Sequence, residues 1–152
     1  MKTVRDILES KGNATISIGP DATLGEALKV MADKNVGAVL VIDKGSRIVG
    51  IFSERDFARK SMAEGRSVEA TKVSEIMTPQ VFYVKPDTSI PDCMNLMTEK
   101  RIRHLPVLAN DELMGVISIG DVVKALIEVE ETIISEQKSQ IGMLNNYISG
   151  SP

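Results

Sequence analysis

The sequence predicts a mixed α/β (α+β) fold of two β-α-β-β-α repeats, packed through their small sheets with pseudo-two-fold symmetry and followed by a long C-terminal helix. Three observations carry that prediction. The phrase GIFSERDF, Gly50 to Phe57, returns as GVISIGDV, Gly115 to Val122. The stretch GPDATLGEALKVM from Gly19 falls on KPDTSIPDCMNLM from Lys85, matching Pro20 to Pro86 and Asp21 to Asp87. In the same register Leu24, Leu28, Met31, Val36, Val39 and Val41 meet Ile90, Met94, Met97, Ile102, Leu105 and Val107. Self-similarity at a fixed period marks duplicated supersecondary units that bury their apolar faces together. Finally, no proline interrupts the stretch from Asp121 to about Ile148, and its one interior glycine, Gly142, is tolerable in a helix.

The elements follow in order. TISI, ending at Ile18, is a short strand by composition, and the apolar spacing after Pro20-Asp21 predicts a helix through Met31. AVLVID and RIVGIF, separated by Lys44-Gly45-Ser46, then predict a hairpin, with a helix opening after Ser53. The second half repeats the order. VFYV predicts a strand over 81–84, a helix runs through Met97, LPVLAN and LMGVIS form a hairpin around Asn110-Asp111, and a helix opens after Ser118. The expected boundaries are a first repeat over 3–65, a linker over 66–72, a second repeat over 73–127, and a helical extension with a short flexible end over 128–152.

Composition narrows the function. Hydrophobic residues make up 43% and charged residues 26% of the 152, close to globular averages. No run is apolar enough to span a bilayer, and the start MKTVRDILESKG lacks the apolar core of a secretory signal. A single cysteine, Cys93, suits a reducing compartment, so a cytoplasmic protein without membrane association is expected. The net charge of −3 gives no general attraction to nucleic acid. A basic cluster of Lys100, Arg101 and Arg103 is the one feature favouring it, against an acidic whole and 3% aromatics. Catalysis finds no support either. His104 is the only histidine, and no P-loop, dinucleotide fingerprint or metal motif is present.

The duplicated phrase has a physical use. Ser53 and Ser118 are natural N-caps, and the free N–H groups and dipole of a helix start favour a nearby phosphate. Asp56 and Asp121 are placed to accept hydrogen bonds from ribose hydroxyls. Gly50 and Gly115 would let a flat base approach the backbone, with Ile51, Phe52, Val116 and Ile117 lining a cleft. A structural reading of the same residues is simple capping, with the glycines as hairpin or bulge positions.

The element order, the duplicated phrase, SEIMTP from Ser74 and RHLPV from Arg103 resemble the cystathionine β-synthase (CBS) domains, which occur as tandem pairs called Bateman modules. The resemblance covers residues 3 to 127. It implies a non-catalytic sensor that binds adenosine nucleotides (AMP, ADP, ATP or NAD) in two clefts between the repeats, assembles as a homodimer and signals to a separate regulated protein. It also implies adenine contacts from backbone near 15–18, 37–39, 81–84 and 105–106, which brings in Thr15, Ala38, Tyr83 and Pro106. The halves differ: Arg103-His104 stand where the first repeat has Gly37-Ala38, and Gly120 replaces Arg55. Arg103 suits phosphate through its planar fork, His104 donates a hydrogen bond or carries charge, and Arg55 and Arg59 supply cations in the first half. The alternative is a structural dimerisation module with vestigial clefts.

In the tail, Ile127, Ile134, Ile141 and Ile148 recur every seven residues, widened by Val123, Ile133 and Leu144. Glu130, Glu131 and Gln137 occupy the second seam of a full zipper. The expectation is a helix lying across its own domain or a sister subunit, ending in a disordered SGSP.

Overall fold

The computed structural model describes residues 2–148, with the backbone alone for 145–148. The expected flexible end, 149–152, and the side chain of Ile148 lie outside the described residues. In chain order the elements are α1 (Val4–Lys11), β1 (Ser17–Ile18), α2 (Leu24–Lys34), β2 (Ala38–Ile42), β3 (Ile48–Ser53), α3 (Glu54–Asp56) running into a π-helical turn (Phe57–Met62), α4 (Val73–Ile76), α5 (Ile90–Lys100), β4 (His104–Ala109), β5 (Glu112–Ser118) and α6 (Ile119–Ile148).

The two halves repeat their local devices. Thr23 caps α2 by accepting from the Glu26 N–H at 3.1 Å, and Ser89 caps α5 by accepting from the Asp92 N–H at 3.2 Å. Both helices stop in the left-handed region, at Asn35 and Arg101. Each hairpin shifts register beside its glycine: Val41 faces Gly50 and Val107 faces Gly115. These shifts agree with the bulge reading of the two glycines.

The strand expected over 81–84 is not formed. Only Val84 pairs, its N–H donating to the Pro106 carbonyl at 3.0 Å and its carbonyl accepting from Leu108 at 2.9 Å. Pro79 and Pro86 bracket this stretch and offer no N–H to a ladder. The first sheet therefore has three strands, β1-β2-β3, and the second has two.

There are two cores, and the chain crosses between them. One joins Leu24, Ala27, Met31, Val39, Val41 and Phe52 of the first half to Val73 and Ile76 of α4. The other joins Ile90, Cys93, Met97, Leu105, Val107, Ile117, Val122 and Ala125 of the second half to Val4, Ile7 and Leu8 of α1. Each half thus receives its covering helix from the segment leading into the other. The docking bonds match: Val4 donates to the Thr88 carbonyl at 3.0 Å and Val73 to that of Ala22 at 2.8 Å.

This crossing also explains the phrase glycines. A Cβ on Gly115 would meet Leu8 Cδ2 at 2.7 Å, and one on Gly50 would meet Met77 Sδ at 2.5 Å and the Thr78 carbonyl oxygen at 3.0 Å. The close neighbour of each glycine is therefore the exchanged segment, not space for a base. Phe52 and Ile117 are likewise fully buried in the cores, outside any cleft.

The long C-terminal helix forms as expected, but it does not lie across its own domain. Val122, Ala125 and Leu126 pack into the second core, while every residue from Glu130 to Leu144 is exposed. Ile127, Ile134 and Ile141 sit on a different side of the helix from those core contacts, so packing the first turns leaves the stripe uncovered.

Candidate functional site

Both Ser-x-x-Asp phrases close reciprocal caps. Asp56 Oδ2 accepts from the Ser53 N–H and hydroxyl, each at 3.1 Å, while Ser53 Oγ accepts from the Asp56 N–H at 3.1 Å. Asp121 Oδ2 accepts from the Ser118 N–H at 2.8 Å, and Ser118 Oγ from the Asp121 N–H at 3.1 Å. The difference lies in what else reaches each carboxylate. Oδ1 of Asp56 accepts from the Thr78 hydroxyl at 3.1 Å, with Lys60 Nζ at 3.5 Å. Asp121 is held by Lys11 Nζ at 2.7 Å, and that ammonium also donates to the Val116 carbonyl at 2.9 Å. Burial pushes the Asp121 carboxyl up, but the Lys11 ammonium and the Ser118 N–H outweigh it and hold it below the ordinary value.

The first phrase opens on a cleft of about 670 Å³ lined by both halves. From the first half come Gly37, Ile51, Ser53, Arg55, Asp56, Arg59 and Lys60, and from the second Lys100, Arg101, Arg103 and His104. The connecting stretch supplies Thr78, Gln80, Val81 and Phe82. Six cationic side chains face only two carboxylates, Glu54 and Asp56. Lys60 is tied to Asp56 and to the Ile76 carbonyl, and Lys100 lies over the Phe82 ring at 5.2 Å. Among the described residues Arg55, Arg59, Arg101 and Arg103 have no carboxylate partner. Unpaired guanidinium groups around a concavity concentrate positive charge locally on a chain whose net charge is negative.

His104 stands at the junction of the halves. It faces Ser118 across the β4–β5 ladder and also lies against Gly37 of the first half. Burial lowers its affinity for a proton, Lys11 and Arg103 add to that, and Asp121 and Asp56 oppose it, so its pKa sits below 6.5.

Of the residues expected to bind ligand, the cleft gathers Ser53, Arg55, Asp56, Arg103 and His104. Ser118 and Asp121 lie elsewhere, Asp121 beside a pocket of about 70 Å³ shared with Lys11. Thr15 is exposed ahead of β1, Tyr83 is 55% exposed, Ala38 pairs with Ser53 inside the first sheet, and Pro106 is buried in β4 with its carbonyl already taken by Val84. None of these four lines the larger cleft. Lys11, Lys60 and Thr78 escaped the sequence reading. A partial signal existed: TVRDIL from Thr3 and KVSEIM from Lys72 are themselves equivalent segments, each of which leads into one half and packs on the other.

Comparison with known proteins agrees with this architecture. The family model described as CBS domain matches twice, over residues 4–63 and 73–128. The CBS domain-containing protein CBSX3, mitochondrial, of Arabidopsis thaliana is 38% identical over 97% of this chain and 72% of its own length. The solved structure of a protein with CBS domains from Burkholderia ambifaria is 48% identical, with a TM-score of 0.80 over 84% of this chain and 95% of that one. A CBS domain pair in complex with 5′-methylthioadenosine and S-adenosyl-L-methionine shares the fold, with a TM-score of 0.73 at 23% identity over 83% of this chain and 96% of that one.

Proposed function

The chain belongs to the CBS domain family, and from that premise we propose that it is a non-catalytic sensor of adenosine-containing nucleotides (AMP, ADP, ATP or NAD) that signals to a separate protein in the cytoplasm. The observation that carries the reading is the composition of the 670 Å³ cleft. It combines a capped helix start and carboxylate for a ribose, at Ser53 and Asp56, with unpaired Arg55, Arg59, Arg101 and Arg103 for phosphate. The fold neighbour in complex with two adenosine compounds supports that ligand class. Ligand contacts drawn from both halves would favour one relative arrangement of them, and only that difference in affinity is available as signal.

Asp121, ion-paired to Lys11 at 2.7 Å, favours a second reading for its own side of the molecule: a vestigial cleft in a unit whose role there is structural. Calorimetric titration of nucleotide-stripped protein with AMP, ATP, NAD, S-adenosylmethionine, GTP and adenosine separates the two. One saturable site per chain for an adenosine compound is the expected result. Two sites would show that Lys11 yields to ligand, and no binding by any compound would leave the structural reading.

A further inference from the structure

The cleft at the junction of the halves holds the one imidazole of the chain, the side chain whose ordinary titration lies nearest neutral pH. His104 lines that cleft together with Arg55, Arg59, Arg101 and Arg103. It is half-buried at the start of β4, with uncharged neighbours on two sides. Ser118 faces it across the β4–β5 ladder, and a Cβ on Gly37 would stand 3.8 Å from its Nε2. Among the described residues no side-chain hydrogen bond engages the imidazole, which leaves both ring nitrogens without a protein partner. Neither the Ser53-Asp56 cap nor the guanidinium groups make use of it.

The charges around the ring set the direction. Burial keeps a proton off it, Lys11 of α1 and Arg103 beside β4 do the same, and Asp121 of α6 and Asp56 of α3 favour one. Burial and the cations prevail. Arg55, Arg59, Lys60, Lys100 and Arg101 add further positive charge to the same cleft, against Glu54 alone beside Asp56. An anion seated among the guanidinium groups reverses this balance: it neutralises cations that oppose protonation and brings negative charge into the cavity that the imidazole lines. Loss of water from the ring acts the other way, but a facing opposite charge within about 4–6 Å outweighs it.

We propose that this cleft takes up a proton on His104 together with its anionic ligand, and so binds phosphorylated ligand more tightly as pH falls. The inference rests on the reading of the cleft as the seat of a phosphorylated ligand, and it adds a second signal at that site. By linkage, the complex holds more protons than the free protein over the interval between the two titrations of the ring, so affinity rises as pH drops through that interval. Ligand in turn offsets the stability that the free chain loses on acidification through the same residue.

Because His104 is the only histidine, its ring protons report the titration directly. Proton NMR of the full-length, nucleotide-stripped chain follows them from about pH 5 to pH 8 in chloride, in sulfate at equal ionic strength, and with ATP; sulfate keeps its charge over that range. The midpoint should move to higher pH in sulfate and in ATP, and the sulfate shift should shrink in Arg55→Gln with Arg59→Gln. The terminal phosphate of ATP itself titrates at about pH 6, so calorimetry compares wild type with His104→Gln. The ratio of ATP affinity at about pH 5.5 to that at about pH 7.5 should be roughly threefold or more larger in wild type. A midpoint unmoved by both anions, a sulfate shift undiminished in the arginine variant, or the same affinity ratio in both proteins overturns the proposal. A midpoint moved by sulfate with no binding of ATP upholds the proton coupling and removes the nucleotide. Binding of ATP with an unmoved midpoint does the reverse.

Discussion

The two aspartates of the repeated phrase share a cap and differ in company, and this difference should govern their behaviour. Asp56 lines the open cleft with one oxygen on Thr78 and 3.5 Å from Lys60 and the other in its cap, whereas Asp121 is bound more closely, at 2.7 Å, by Lys11. Asp56→Asn, which keeps the shape of the cap, should weaken adenosine binding about tenfold through loss of charge-assisted bonds to the ribose. Asp121→Asn should leave that affinity within about twofold, roughly 0.4 kcal/mol. Equal losses in parallel titrations would show that both phrases serve ligand. Arg103→Gln should reduce affinity for AMP and ATP more than for adenosine, because an unpaired guanidinium has only the phosphate to read. His104 gives a pH signature. Its folded pKa lies below the ordinary 6.5, so between that folded value and 6.5 the unfolded chain binds more protons. Stability is therefore full above about pH 6.5 and declines as pH falls through that window. Thermal melts from about pH 7 to pH 5 should show this slope reduced in His104→Gln. An unchanged slope would place the titration elsewhere. Ser53, Asp56 and Arg103-His104, which the cleft gathers, stood out in sequence through duplicated or contrasting positions, but duplication alone did not reveal that Ser118 and Asp121 lie outside it. Thr15, Ala38, Tyr83 and Pro106 were named by resemblance, and strand pairing and exposure place them outside the larger cleft.

At the level of elements, the hairpins and the two helices α2 and α5 could be read directly, since their signals are local: turn residues between paired apolar runs, and an apolar period of helical spacing after Pro-Asp. The short helices α1 and α4 could not. With 8 and 4 residues they are too short to be stable alone, and their apolar faces are satisfied only in the opposite half. The expected strand at 81–84 failed for a related reason. Its apolar residues match a strand in composition, but Val81 and Phe82 line the cleft and two prolines bracket the segment. The exchange makes an element-level prediction that linear repeat boundaries would assign to the wrong half. Leu8 is 6% exposed against Ile117 and Gly115, so Leu8→Ala should cost about 2–4 kcal/mol and lower hydrogen-exchange protection in β4 and β5. Ile76→Ala should do the same to β2 and β3. Protection lost first in the half that contains the mutation in sequence would contradict the exchanged packing.

For the whole molecule, crossed helices mean that covalent continuity and structural continuity diverge. The segment from Ala63 to Ala70 is exposed throughout, with Gly65 in the left-handed region, and it connects halves whose cores each hold a helix from the other side of it. A cut there removes one peptide bond from a surface loop and leaves both cores intact: α1 stays among Ile90, Leu105 and Ile117, and α4 among Leu24, Val39 and Phe52. Burial of Val4, Ile7 and Leu8 on one side and Val73 and Ile76 on the other contributes about 1.5–3 kcal/mol per side chain, enough in sum to hold two fragments together at micromolar concentration. A protease site inserted between Gly65 and Arg66 and cleaved under native conditions should therefore yield fragments that co-elute in gel filtration and melt as one unit. Addition of denaturant should separate them, and dilution should reunite them. If the cleaved halves instead eluted apart, each folded and with its own melting transition, the exchanged helices would be ornaments on two independent repeats. The cleft built from Asp56 on one side and Arg103 on the other would then have no rigid frame to hold its two halves in register.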